Sequence, residues 1–401
     1  MQQGQTRPGQ AWRNRTRVKT GLEALLEEGA FWLKGQRIGL ITNPTGVGPD
    51  LTSTIDLLRS RPDFKLAALF GPEHGVRGDA QAGVTVENAT DSRTGLPMYS
   101  LYGKTKKPAP EMLDGLDVLV YELQDIGVRF YTNIYTLAYS IQAAGEAGIP
   151  FVVLDRPAPL GGVAIEGNRL KEGFSSFVGD YALPVRYGLT CGELANYLNN
   201  RFSFGADLRV ARMKGWERGM WFDETGLPWV APSPNMPTLE TAAAYPGTCL
   251  FEGTNLSEGR GTTMPFQVIG APWVDGVRLA ERMNGLDLPG ARFRPVWFAP
   301  TFSKHAGQRC SGVQVHVMDR EVYPALRVGL ELLSAVYRLH PDEFKWLPPH
   351  EGSQRHFFDL LMGTDEVRLE LDAGAPAADL ARPWEKAAAG FAAEVAPYRL
   401  Y

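Results

Sequence analysis

Within Glu73-His74-Gly75-Val76-Arg77-Gly78, an acid, an imidazole and a guanidinium fall inside five residues. The stretch follows the apolar run Leu66-Ala67-Ala68-Leu69-Phe70, closed by Gly71-Pro72, which reads as a buried strand running into a loop. A second place of the same kind lies downstream, where Val118-Leu119-Val120-Tyr121 meets Glu122-Leu123-Gln124-Asp125-Ile126-Gly127-Val128-Arg129-Phe130-Tyr131. Two carboxylates facing each other across a pocket suit the cleavage of a glycosidic bond. One protonates the leaving oxygen, and the other activates water or attacks the anomeric carbon. A separation of about 5 Å gives retention and roughly 6.5–9.5 Å gives inversion. Neighbouring strands lie about 4.8 Å apart, so Glu73 and Glu122 on adjacent or next-but-one strands fit either outcome.

Other chemistries find less support. There is no Gly-x-Ser-x-Gly elbow, and Ser233 and Ser257 have no base at a recognisable spacing. His74 has no second histidine on its own element, and His305, His316, His340, His350 and His356 do not cluster with it, so no metal site is expected. The first strand-to-helix turn, Asn43-Pro44-Thr45-Gly46-Val47-Gly48-Pro49-Asp50, lacks the third glycine of a dinucleotide fingerprint, and no cofactor is expected. Each residue also has a plain structural reading. A strand-end glutamate commonly caps a helix, and Arg77, Arg129 and Arg156 can simply pair with such acids. Asp155-Arg156-Pro157 can be turn chemistry, Glu258-Gly259-Arg260 a surface ion pair, and Tyr131 and Tyr135 core. Their joint occurrence at one sheet edge is what favours a site.

That edge is built by repetition. Arg37-Ile38-Gly39-Leu40-Ile41-Thr42, Leu66–Phe70, Val118–Tyr121 and Phe151-Val152-Val153-Leu154 are short, continuously apolar runs. Helical spacing over Gly21–Leu33, from about Thr52 to Arg59, and over Asn133–Ala147 separates them. The order predicts an α/β fold, a parallel sheet with helices on both faces, whose ligands sit outside the carboxyl ends of the strands. All four runs lead into polar residues: Asn43, Glu73, Glu122 and Asp155. Residues 79 to 103 read as a long excursion holding a short hairpin and two tyrosines, Tyr99 and Tyr102. Further on, helical spacing follows Cys191 as far as Asn199, and Val210–Met213 reads as a strand. Pro232-Ser233-Pro234-Asn235-Met236-Pro237 is nearly free of regular pattern, and a third polar cluster runs from Gly247 to Thr262. A smaller α/β half is expected after it, from strand-like Gly312–Val317, a helix over Tyr323–Leu339, and helical pieces at Phe357–Met362 and Pro383–Ala393.

The chain of 401 residues is long enough for two domains, and its division is expected at 1–18 for a basic tail, 19–240 for the first domain and 241–401 for the second. A net charge of −4 offers no basic footprint for nucleic acid. Three cysteines, Cys191, Cys249 and Cys310, form neither metal spacing nor a disulfide framework. No apolar run is long enough to span a membrane, and the first 25 residues lack the apolar core of a signal peptide, so a cytoplasmic location is expected, with export by a leader outside this chain as the alternative.

The motifs Gly71–Gly78, Tyr121–Thr132, Leu154–Pro157, Ser233–Pro237 and Glu252–Thr262, in this order, resemble the NamZ-type exo-β-N-acetylmuramidases, formerly catalogued as a domain of unknown function. The resemblance runs from about Gly21 to Tyr401. It implies a Rossmann-like first domain, a smaller second domain, and an active site in the cleft between them. It also implies a glycosidase that releases N-acetylmuramic acid (MurNAc) from the non-reducing end of peptide-free peptidoglycan fragments. The partner is then a small saccharide, such as the disaccharide with N-acetylglucosamine (GlcNAc), MurNAc-GlcNAc, or a short glycan strand. Glu73 and Glu122 become the catalytic pair, supported by His74, Asp125 and Asp155. Asn43, Gln124, Tyr131, Arg156, Asn235, Glu252, Asn255 and Glu258 join them as substrate-binding candidates. Muramic acid carries a lactyl carboxylate, and bidentate recognition of a carboxylate is what arginine does best, so one of Arg77, Arg129 or Arg260 is expected to hold it. Trp216, Trp221 or Trp229 could stack on the sugar. The rival functions are a hydrolase of another amino sugar or ester and a non-catalytic sensor of wall fragments.

Overall fold

The computed structural model describes residues 17–78, 88–103, 105–349 and 354–401. Seven strands form the larger sheet: β1 (Arg37–Thr42), β2 (Lys65–Gly71), β3 (Ala89–Thr90), β4 (Pro97–Ser100), β5 (Val118–Glu122), β6 (Phe151–Leu154) and β7 (Leu208–Ala211). Their order is β3-β4-β2-β1-β5-β6-β7, parallel throughout except where β3 meets β4. Continuous apolar runs form the centre because both faces are covered. Every residue of β5 and β6 is buried. Ile38, Leu40, Leu69, Val118, Val120, Val152 and Leu154 pack with helices α1 (Gly21–Glu27) and α2 (Thr54–Arg59). The alternate residues, Ile41, Phe70, Leu119, Tyr121, Phe151 and Val153, pack with α3 (Pro110–Leu113), α4 (Asn133–Ala147) and α5 (Cys191–Arg201) on the other face.

The second half winds around a three-stranded antiparallel sheet. It consists of α6 (Leu239–Thr248), β8 (Val268–Ala271), α7 (Gly276–Gly285), β9 (Ala291–Phe298), β10 (Cys310–Val317) and α8 (Ala325–Leu339), with strand order β8-β10-β9. Helices α6 and α8 cross at backbone contact. A Cβ on Gly247 would lie 2.0 Å from the Ala325 carbonyl oxygen, and one on Gly329 would lie 2.2 Å from that of Gly247. Three helices finish the chain: α9 (Phe357–Met362), α10 (Glu366–Asp372) and α11 (Ala377–Val395). The two halves share a core, because Ile126, Val128 and Phe130 of the first half belong to the same buried cluster as Leu250, Phe266 and Phe358 of the second. Helix α11 returns the other way, placing Phe391 and Val395 in the cluster behind α4 and α5.

Several expectations change. The helix expected over Gly21–Leu33 ends at Glu27, since Gly29 and Ala30 turn left-handed with φ 88° and 48°. The last helix spans Ala377–Val395 and carries Pro383 inside rather than at its start. Helices α6 and α7 and strands β8 and β9 were not separated in the sequence. Helix α6 starts at a Thr238 cap, carries Pro246 inside, and is held by its packing on α8. The hairpin is present as β3 and β4, and the rest of that excursion, residues 79–87, lies outside the described residues. The expected basic tail is also outside them, apart from Arg17 and Val18.

Candidate active site

Where the carboxyl end of the large sheet faces the second half there is a cavity of about 830 Å³, within the range of about 300–1,000 Å³ usual for ligand pockets. The loop after β2 supplies one wall. After Gly71-Pro72 the chain turns at His74 and Gly75, both left-handed with φ 71° and 74°, and this turn brings Glu73 and His74 to the cavity. The Glu73 carboxylate accepts a hydrogen bond from Thr132 Oγ1 at 3.0 Å, at the start of α4. Tyr102 stands beside it. Burial first, and then the Glu73 charge and hydrogen bond, push the Tyr102 phenol up to about 12, so it stays a neutral donor.

The opposite wall comes from the second half. Glu252 and Glu258 flank Arg260, which donates from Nε to Glu252 Oε1 at 2.9 Å and lies 3.4 Å from Glu258 Oε1. Lys304, on the β9–β10 connection, is ion-paired with Glu258 Oε2 at 2.8 Å while its hydrogens point to the Phe251 and Thr254 carbonyls at 2.8 and 2.9 Å. Burial works against the charge on Arg260, but Glu252 and Glu258 outweigh it and hold the guanidinium protonated. Aromatic rings also line the cavity: Phe130, Tyr131, Phe177, Tyr245, Phe266, Phe302 and Phe357. Tyr131 and Tyr245 meet edge to face at 6.2 Å. Asn235, from the patternless 232–237 segment, also lines it.

Of the candidate residues, Glu73, His74, Tyr131, Asn235, Glu252, Glu258 and Arg260 are brought together on this cavity. The remainder are not, and the reasons are visible. Glu122 has no exposed surface: Oε1 accepts from Arg156 Nη1 at 2.7 Å, and Oε2 accepts from Thr54. Burial raises its pKa against the pull of that arginine. Expected beside Glu73 as the second carboxylate, Glu122 instead lies in a closed ion pair beneath the sheet edge and does not line the cavity. Asn43 and Gln124 knit the same edge. Asn43 Oδ1 accepts from the Thr45 amide at 2.9 Å, Thr45 Oγ1 accepts from the Gln124 amide at 2.9 Å, and Gln124 Nε2 donates to the Pro157 carbonyl at 2.8 Å. Asp155 accepts from the Gly192 amide, Thr190 Oγ1 and the Tyr401 hydroxyl at 2.8, 2.7 and 2.9 Å. Asp125 accepts from the Gly127 amide at 2.7 Å and from Tyr187, and burial pushes both aspartates up to about 6. Asn255 joins two loops through Glu343 and Lys345.

The three arginines also separate. Arg77 grips Asp91 with Nε and Nη2 at 3.0 and 2.9 Å. Arg129 is fully buried without a carboxylate. It donates to four backbone carbonyls, Asn168 and Leu183 from the first half and Leu361 and Met362 from α9, at 2.7–2.9 Å. Burial lowers its pKa to about 10. Only Arg260 reaches the cavity. The tryptophans are structural too: Trp216 packs edge to face on Tyr401, Trp229 does so on Phe222, and Trp221 lies against Arg186 and Arg320. Lys304, Tyr102, Tyr245 and Thr132 were missed. Thr132 and Tyr102 are close in sequence to recognised stretches, whereas nothing about Lys304 in an irregular connection announces its place. Among the described residues there is no cluster of three metal-ligating side chains and no helix long and apolar enough to cross a membrane.

Known proteins agree with this arrangement over nearly the whole chain. Residues 38–240 match the model for the N-terminal part of the exo-β-N-acetylmuramidase NamZ, and residues 243–401 match that for its C-terminal part. The peptidoglycan β-N-acetylmuramidase NamZ of Bacillus subtilis is 51% identical over 385 residues, which are 96% of this chain and 92% of that one. Two crystal structures of DUF1343 family proteins from Bacteroides fragilis share the fold. One has a TM-score of 0.89 at 43% identity, covering 96% of this chain and all of that one; the other has 0.76 at 30%, covering 96% and 99%. With the α/β fold, the two-sided acidic cavity and both halves matched in order, this chain belongs to the exo-β-N-acetylmuramidase NamZ family of glycosidases.

Proposed function

We propose that the protein acts on peptidoglycan as an exo-muramidase, releasing terminal MurNAc from the non-reducing end of peptide-free fragments such as MurNAc-GlcNAc. The observation that carries this reading is that Glu73, from the first half, lines the same aromatic-rich cavity as Glu252 and Glu258 from the second. Glu73 is the proton donor to the leaving oxygen. Its neighbours Thr132 and Tyr102 orient the carboxyl toward the cavity. The second carboxylate comes from the Glu252–Glu258 stretch rather than from Glu122. Glu258 lies between Arg260 and Lys304, 3.4 and 2.8 Å from their nitrogens, and takes the part of the base or of the stabiliser of developing positive charge. Arg260 binds the lactyl carboxylate through Nη1, which takes no part in its bonds to Glu252 and Glu258.

The test is release of free MurNAc from MurNAc-GlcNAc and from a chromogenic MurNAc glycoside. The parent should turn over both, and Glu73→Gln should bind the disaccharide yet be slowed at least about a hundredfold. Faster turnover of the matching GlcNAc glycoside would point to another amino sugar. Binding without turnover in the parent would point to a sensor.

A further inference from the structure

A second groove, bordered by charged side chains, lies in the second half and shares no lining residue with the cavity above. It has a volume of about 320 Å³ and lies between the end of α7, the middle of α8 and the start of α11. Three guanidiniums border it: Arg282 from α7, and Arg327 and Arg338 from α8. One acid, Glu331, stands among them, and all three arginines act on its charge. Even so, burial keeps the Glu331 carboxyl above its ordinary range. Its nearest pairing, with Arg327 Nε, is 3.9 Å long. Arg338 has one bond, to the Gly374 carbonyl at 3.2 Å, and among the described residues Arg282 has neither an ion pair nor a side-chain hydrogen bond. Three cations around one weakly held acid leave an excess of positive charge among the residues lining the groove.

Two further observations point into the same groove. Ser334 lines it at 7% exposure, and among the described residues its hydroxyl has no hydrogen-bond partner. The first turn of α11 closes the other side with Ala377 and Ala378, and no side chain caps that helix. Its first amides and its dipole favour an anion, a pull that Asp379 in the same turn meets only in part.

We propose that this groove is a binding site for a phosphate-class oxyanion. Guanidinium forks on the rim, a hydroxyl on the floor and backbone amides at one end donate from three directions. That arrangement matches a tetrahedral anion with several oxygens better than a planar carboxylate with two. The anion is either a free small phosphate or one phosphate of a longer chain, and the site is separate from catalysis.

The experiment is calorimetric titration of the full chain with inorganic phosphate and with tripolyphosphate at constant ionic strength. Saturable binding is expected. Arg282→Ser with Arg338→Ser should weaken it by at least about tenfold, and Ser334→Ala by a few-fold, with turnover of the chromogenic MurNAc glycoside unchanged. Arg282→Lys with Arg338→Lys retains the charge and should still lose affinity, because the bidentate fork is gone. Tripolyphosphate binding much more tightly than phosphate would identify a chain as the source, and equal binding a small phosphate. Absence of saturable binding in the parent, or equal binding by a folded double-serine variant, would overturn the proposal. Introducing an acid with Ala378→Asp, whose side chain need not enter the core, gives a second arm: phosphate binding undiminished in that variant would also overturn it.

Discussion

Glu73 and Glu122 leave β2 and β5, the two strands that flank β1, and in sequence they are alike: each ends an apolar run and has an arginine downstream. Folding treats them oppositely. Around Glu122 every polar partner is internal, since Arg156, Thr54, Gln124 and the 155–157 turn satisfy one another and exclude water. Around Glu73 the partners come from α4 and from the 101–103 stretch, and the far wall belongs to the other half of the chain, so a cavity remains. A closed polar cluster stabilises a sheet edge, whereas an open one can accept a substrate. Strand-end acids are therefore not equivalent, and their value for catalysis depends on what has been left unfilled in front of them.

The sharpest way to break this comparison is to remove each acid. Glu73→Gln should leave melting almost unchanged while turnover falls at least about a hundredfold. Glu122→Ala should do the reverse, costing about 3–5 kcal/mol of stability by stranding Arg156, with turnover per folded molecule within a few-fold of the parent. Denaturant curves beside rates read out both. If Glu122→Ala lost turnover without losing stability, the closed cluster would be catalytic after all.

Arg129 extends the contrast from acids to bases. Replacing it by Met would leave four buried carbonyls short of donors, two of them across the contact between the halves, at a cost of about 2–4 kcal/mol in urea unfolding. An unchanged midpoint would mean that water supplies those bonds.

Asp125 offers a pH signature. Its folded pKa of about 6 lies above the ordinary value near 4, so between those values the native state holds the extra proton. The stabilisation is fully present below about pH 4 and is lost as pH rises through 6. Asp125→Asn cannot titrate, so its melting temperature relative to the parent should climb from pH 4 to pH 7, by the equivalent of about 2–3 kcal/mol. A constant offset across that range would place the proton elsewhere.

The smallest effect concerns recognition. Arg260→Lys should raise KM for the muramyl substrate about tenfold more than for the glucosaminyl one, because one ammonium cannot bond Glu252 and the lactyl carboxylate at once as the planar guanidinium does. Equal losses would remove the lactyl carboxylate from Arg260.

How much of this was written in the chain follows from the range of the interactions. Local rules sufficed for the central strands, since a run such as Phe151–Leu154 can only be buried on both faces, and for α4, whose apolar spacing and terminal Gly148 mark both ends. They sufficed also for the family, through long motifs in a set order, and for Glu73 as a residue at a sheet edge. Tertiary structure alone decided which strand-end acid faces a cavity. Glu122 is paired with Arg156, 34 positions away, and the rest of the cavity lining includes Glu252, Glu258, Arg260 and Lys304, which no local pattern ties to Glu73. It likewise decided that Arg77 serves Asp91 and Arg129 serves backbone carbonyls up to 233 positions distant. Residue type and period are properties of short segments. The emptiness of a pocket and the identity of a charge's partner belong to the packed chain, because both depend on which distant groups arrive first at the same place.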